Sequence, residues 1–302
     1  MFPIIPANSV TAASGNDEGI LLWGSPTSGT NLISNTGVIS SDTSTPAGAT
    51  AKNYSAATQY GGDKGIVAFG IDSWYADESN LISNTGVVGS DVAGVGTNRG
   101  TLAACSFGGD KGIFGFGDNG SYVSITNLVS NAGVVASDQA ATTGTARRGL
   151  SGLEYGTDTA IFAFGHTGSS TNVSNLVTNT GVVGSDVANA SSTARSLLGG
   201  CRYGGDKGIF AFGHHSSSIN ESNLVTNVGV IGSDVAGVGT NRGYVQGCEY
   251  GQDKGIFGGG ETFIPGYTAV TNLVSNTGVV ASDTAAVAGV TARQAYAACS
   301  FN

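Results

Sequence analysis

The sequence predicts an all-β chain folded as a six-bladed β-propeller, with four antiparallel strands per blade and the ring closed by the C-terminal strand joining the first blade. Three observations carry this expectation. The chain repeats itself six times at about 47 residues, from starts at Gly15, Gly61, Gly108, Gly156, Gly204 and Gly251, and self-similarity at such a period marks a stacked or radial array. Its apolar runs are four to seven residues long and bounded by Gly, Asn, Ser or Asp, which suits strands rather than helices. The first repeat also opens on the second strand of the unit, whereas the last stops just after a first strand.

Each unit reads G-x-D-x-(G/A)-I, an aromatic FG segment, a variable loop, N-L-(I/V)-(S/T)-N and G-V-(V/I)-x-S-D, then a basic residue and a short apolar stretch ending on Tyr or Phe. In radial order, strand a follows the basic residue, as in Arg147 to Tyr155. Its position five after that residue holds only Ala57, Ala104, Gly152, Gly200, Gly247 and Ala298, as crowding near an axis requires. Strand b, such as Ile113 to Phe116, carries the bulkier set Leu21, Val67, Phe114, Phe162, Phe210 and Phe257, expected between neighbouring blades. Strand c lies around Asn127 to Ser130 and strand d at Val134 to Asp138, making four strands per blade. Closure places Arg293 to Phe301 beside Ile20 to Trp23, hiding two sheet edges. The propeller is thus expected over residues 15–302, behind an extended arm at 1–14.

Composition agrees with this arrangement and narrows the function classes. With 50 Gly in 302 residues, 11% charged and 40% hydrophobic residues, the chain suits short strands joined by tight turns and is too apolar for a disordered linker. A net charge of −9 supplies no basic footprint for a phosphate backbone, so no nucleic-acid partner is expected. The stretch Met1 to Ser14 lacks a positive n-region and makes a poor secretory signal. No apolar run approaches membrane-spanning length, so no membrane insertion is expected.

The two loop faces differ. One repeats almost unchanged as GGDKG and NTG, whose Gly and Asn suit positive φ. The other carries SPTSGT, IDSWYADE, DNGSYVSI, HTGSSTNV, HHSSSINE and ETFIPGYTAV, and variation on one face of a fixed array is where recognition is built. Its candidate ligand-binding residues are Trp74, Tyr75, Tyr122, His166, His214, His215, Phe263 and Tyr267. The aromatic ones offer stacking area to sugar rings or protein partners, or else cover neighbouring loops.

Lys52, Arg99, Arg147, Arg195, Arg242 and Arg293 are expected to ring one channel mouth. They could take an anion; pairing with Asp42, Asp91, Asp138, Asp186, Asp234 and Asp283, eight to ten residues earlier, is the favoured reading. Asp17, Asp63, Asp110, Asp158, Asp206 and Asp253 sit in the scaffold turns, where accepting turn N–H groups outweighs calcium binding. Cys105, Cys201, Cys248 and Cys299 share one strand-a position in four blades and read as separate, buried free thiols. His166, His214 and His215 lack further ligands for zinc, so no metal and no cofactor are expected.

The order of apolar strand, turn, FG in place of a diglycine, variable loop and outer strand resembles the kelch repeat family over residues 15–302. Gly24, Gly70, Gly117, Gly165, Gly213 and Gly260 stand for the second glycine of the diglycine, and the usual Trp near the outer strand is absent. The Tyr and His ligands of the family's copper oxidases have no counterpart, nor does a sialidase Asp-box. The wording GGDKGIFAFG with SNLVTNTGVVGSD is also similar to repetitive propeller proteins of bacteriophages and marine microbes. This resemblance implies a virion or extracellular-surface setting. The expected function is therefore a non-enzymatic binding or structural module, presenting its variable face to a host-surface glycan or protein. The alternatives are a decoration or assembly protein that binds other virion structural proteins, and, less favoured, a carbohydrate-active enzyme.

Overall fold

The computed structural model describes residues 17–140, 142–189, 192–262 and 266–301. The arm at 1–14, the first repeat start Gly15 and the candidate Phe263 lie outside them. The described residues hold no helix and form six small antiparallel sheets. Sheet 1 joins β1 (Glu18–Leu22) and β2 (Thr30–Ile33) to a strand from the far end of the sequence, β19 (Ala297–Phe301). Sheet 2 holds β3 (Ala56–Tyr60), β4 (Lys64–Ile71) and β5 (Tyr75–Ile82); sheet 3 holds β6 (Ala103–Phe107), β7 (Lys111–Gly115) and β8 (Thr126–Val129). Sheet 4 has four strands, β9 (Ser151–Tyr155), β10 (Thr159–Ala163), β11 (Val173–Val177) and β12 (Val187–Ala188). Sheet 5 is β13 (Gly199–Tyr203), β14 (Lys207–His214) and β15 (Ser218–Val225), and sheet 6 is β16 (Gln246–Tyr250), β17 (Lys254–Gly258) and β18 (Thr271–Val274). The expected pairing of chain ends is present in register, with Ile20 opposite Cys299 and Leu22 opposite Ala297.

The expectation of four strands per sheet needs correction. Only sheet 4 has a fourth strand; elsewhere the outer segment makes single bridges, such as Ile82 with Val88 and Ser79 with Val92. The backbone pairing slips there by one residue: Ala136 N donates to Leu128 O but Gln139 N to Thr126 O, so an extra residue in the outer segment interrupts the ladder. Asn127 Nδ2 also holds that segment, donating to Ala136 O at 3.0 Å and to Asp138 Oδ1 at 2.9 Å.

The core lies between successive sheets. Phe69 of sheet 2 meets Phe114 of sheet 3 edge-on at 5.4 Å, and Phe116–Phe162, Phe164–Phe210 and Phe212–Phe257 repeat the contact at the next three junctions. Each Phe is fully buried, which contributes about 1.5–3 kcal/mol per side chain. The inner strands lie so close to the second position of the middle strand that it holds only Gly or, in β10, Ala160: a Cβ on Gly65 would come 2.7 Å from Cys299 Sγ. That approach explains a small, buried, free Cys on the inner strand.

The first strands neighbour one another in sequence: β3 lies beside β19 and β6, β9 beside β6 and β13, and β16 beside β13 and β19. Two series of backbone hydrogen bonds link the same sheets. At one end Tyr54, Thr101, Gly149, Leu197 and Tyr244 each donate to the residue at the same repeat position of the preceding sheet, at 2.6–2.9 Å. At the other, Gly61, Gly108, Gly156, Gly204 and Gly251 donate to Asp110, Asp158, Asp206, Asp253 and Asp17 carbonyls at 2.7–2.9 Å. The GGDKG and NTG turns have the expected positive φ, as at Gly62 (82°) and Gly86 (74°). Their Asp carboxylates, expected to cap the turn's own N–H groups, instead reach the next turn of the sheet: Asp110 accepts from Asn131 and Asp158 from Asn179, both at 3.0 Å.

Candidate binding site on the variable face

Six repeated cations lie beneath the variable face. Their side chains are 0–3% exposed, so they sit inside the protein and present no ring of charge at a mouth. Their carboxylate partners also differ from the expected ones. Each pairs with the Asp that follows it in its own sheet, Lys52 with Asp91, Arg99 with Asp138, Arg147 with Asp186, Arg195 with Asp234, Arg242 with Asp283 and Arg293 with Asp42, at 3.6–3.9 Å.

An Asn mediates every pair. Arg147 Nη2 donates to Asn175 Oδ1 at 2.7 Å, Asn175 Nδ2 donates to Asp186 Oδ1 at 2.9 Å, and Thr145 Oγ1 donates to Asp186 Oδ2 at 2.5 Å. The guanidinium also lies 4.4 Å from the Phe116 ring centre of the preceding sheet, a cation–π contact that fixes one sheet against another. Burial pulls the arginine pKa values down, to about 10 for Arg99, Arg147, Arg195 and Arg242, which leaves them charged at neutral pH. Burial raises the six carboxylates, but hydrogen bonds from Thr and Asn outweigh it and leave them below 3.8. Held in this way, the cations are a repeated staple, although Arg195 Nε is left without a hydrogen-bond partner.

Above the staples the repeats cease to agree. The Phe of each FG segment has positive φ, 61° at Phe69 and 63° at Phe116, which turns the chain so that the residue after the glycine bridges the residue after the buried cation. The bridged pairs are Ser25–Gln294, Asn53–Ile71, Gly100–Asp118, Arg148–His166, Ser196–His214 and Gly243–Glu261. Unrelated side chains thus occupy equivalent places around one end of the inner strands.

Five of these positions, Ile71, Arg148, His166, Ser196 and His214, border a cavity of about 480 Å³ walled also by Tyr75 and floored by Tyr54, Thr101, Leu197 and Tyr244. On the floor the Tyr54 and Tyr244 rings meet edge-on at 6.0 Å. Burial raises both phenol pKa values, that of Tyr244 to about 12, so both are neutral. A smaller cavity of about 90 Å³ runs between the first strands of all six sheets. At one end of it Arg202 Nη1 lies 3.0 Å from Glu154 Oε2, which also accepts from Ser106 at 2.7 Å.

One polar network spans three sheets along the wall of the larger cavity. Tyr75 OH donates to Asp118 Oδ1 at 3.0 Å, Gly120 N donates to the same oxygen at 2.7 Å, and Arg148 Nη1 lies 2.8 Å from Asp118 Oδ2. The Arg148 guanidinium lies 5.5 Å from the Tyr122 ring centre, and Tyr122 OH lies 3.2 Å from His166 Nδ1. Gly168 N donates to that same nitrogen at 3.2 Å, which makes Nδ1 the acceptor and leaves the proton on Nε2. Burial, then the Arg148 charge, lowers the His166 pKa below 6.5, so the ring is neutral at pH 7. Asp118 is enclosed, whereas the Arg148 side chain is 45% exposed.

Of the residues expected to bind, Tyr75, His166 and His214 line the cavity and Tyr122 backs it. Trp74 stands at the β4–β5 tip, 75% exposed, with its ring 5.9 Å from Tyr75. His215 is turned aside to Ala194 O at 2.7 Å, and Tyr267 is exposed and bridged to Glu261. Arg148, Asp118, Tyr54 and Tyr244 were not among the sequence candidates. Arg148 was visible as the second half of an Arg-Arg pair, where other repeats have Asn53, Gly100, Ser196, Gly243 and Gln294. Among the described residues no group of three or more His, Cys, Asp or Glu is placed to hold a metal, and no helix is long and apolar enough to cross a membrane. No protein-family model matches the chain, and no curated protein matches it.

Proposed function

We propose that this chain is a non-enzymatic recognition module: a closed six-bladed propeller of the kelch type, carried on a bacteriophage virion, whose variable face engages a host-surface glycan or protein. The six-fold sequence period, the order in which the first strands neighbour one another and the two series of inter-sheet hydrogen bonds support the propeller. The observation that carries recognition is the contrast between staples that recur in every sheet and the unlike residues directly above them, which line the only cavity among those described with both aromatic walls and an exposed cation. Asp118 is engaged by Tyr75, Gly120 and Arg148, which suits positioning better than proton transfer. The virion setting rests on the sequence resemblance.

The test is binding of the purified chain to a glycan panel and to intact bacterial cells, beside a variant carrying Trp74→Ala and Tyr75→Ala. Specific binding that falls at least about tenfold in the variant supports the reading; binding unaffected by the variant removes the variable face from it. A second reading, attachment to other virion proteins, is favoured by one observation. Val38, Val87, Val134, Val182, Val230 and Val279, one per repeat, are each 56–64% exposed, and repeated exposed apolar positions mark interaction surfaces.

A further inference from the structure

We infer that the large cavity takes a neutral, hydroxyl-rich saccharide and discriminates against acidic sugars, because Asp118 cancels the charge of Arg148 while leaving its N–H groups available. This rests on the reading of the variable face as a glycan-binding surface. The cavity wall is rich in donors. Arg148 meets Asp118 through Nη1, with its side chain 45% exposed, and the neutral His166 tautomer carries its proton on Nε2. Ring hydroxyls accept from such donors without bringing charge. The exposed Tyr75 edge and the Tyr54–Tyr244 floor supply apolar area for the C–H face of a pyranose.

Charge decides the class. Burial first, and then the Glu261 carboxylate, raises the pKa of both Tyr54 and Tyr244 while the Arg148 charge opposes it, so charges of both signs reach the floor. With Arg148 balanced by Asp118 at 2.8 Å, no positive charge is left over for a ligand carboxylate, and the chain as a whole carries −9. An acidic sugar would meet a cation already paired to a carboxylate on a molecule of net negative charge. A neutral sugar meets neither penalty.

The experiment compares neutral oligosaccharides with uronate- and sialate-terminated ones against the full chain, at about 0.05 M and about 0.5 M salt. Expected are binding of neutral sugars that changes less than about twofold with salt, loss of at least about tenfold in Arg148→Met, and newly gained binding of acidic sugars in Asp118→Asn, where the Arg148 charge is released. Unfolding curves verify that each variant is folded. Should Asp118→Asn prove unstable, the salt series on the unaltered chain decides alone. Preference of the unaltered chain for acidic sugars, weakening as salt rises, overturns this inference while the glycan reading stands. Binding to cells with no glycan bound overturns both.

Discussion

At Asn175 a single side chain holds two others and a backbone carbonyl in place. It accepts from Arg147 and donates to Asp186 and to Gly184 O, and it is itself fully buried. Asn175→Leu keeps the branched shape but strips the guanidinium of its side-chain acceptor, so a loss of about 2–4 kcal/mol is expected, read from the midpoint of urea unfolding. An equal loss at Asn127→Leu would show that the staples are energetically as well as geometrically alike, since the two networks are superimposable in partners. The cations and carboxylates of this network were legible in the sequence because both recur with the repeat. Their pairing was not. Each Asp lies eight to ten residues from one cation, and five of the six lie about 40 from the other, with Asp42 and Arg293 at opposite ends of the sequence; proximity in sequence selected the wrong one, and only the course of the third strand brings the distant partner within reach.

At the scale of elements, the junctions between sheets conserve volume by exchanging size across the contact. Phe69 shares a cluster with Leu102, Phe116 with Leu150, Phe164 with Leu198 and Phe212 with Val245. Where the Phe position is Gly259, the partner position holds Tyr296, fully buried, and a Cβ on Gly259 would come 3.0 Å from its ring. At the junction of sheets 1 and 2 the trade runs the other way, with Trp23 at the Phe position and Ser55 at the Leu position. Tyr296→Leu alone leaves a void costing about 2–4 kcal/mol, and Gly259→Phe alone overpacks by about 1–3 kcal/mol. The double variant rebuilds the Phe–Leu junction found elsewhere and is expected to recover most of the loss in thermal unfolding; additive losses would refute the exchange. Middle strands were readable from their apolar runs, and β7 begins within two residues of its expected start. The inner strand was read four residues too early, because Arg147 to Leu150 look strand-like while Gly149 takes φ of 61° and leaves the sheet to bond the neighbouring one. The outer strand was read from a short apolar run bounded by Gly and Asp, which cannot reveal the one-residue slip that interrupts its ladder.

For the whole molecule, the six carboxylates act together in acid. Their folded pKa values lie below 3.8, so the unfolded chain binds protons first as pH falls. The stability they contribute is complete above the unfolded value and is lost through the folded one. A cooperative loss of β-structure beginning below about pH 4 is therefore expected by circular dichroism, and a transition centred near pH 6 would assign acid sensitivity to histidine instead. The general architecture was legible because six imperfect copies report the same strand pattern; the cavity was not, because its residues are those that depart from the pattern. Sheet 1 has a further consequence, for the making of the protein. Its partners Ile20 and Cys299 stand almost the whole chain apart, and Thr291 with Arg293 staples to Asp42 and Asn31 across the same span. Until β19 emerges from the ribosome, β1 has a bare edge and both β3 and β16 lack a neighbour. Such distant contacts slow folding, so the pairing of β1 with β19 is expected to form late and to leave the edge of β1 open to neighbouring copies until then.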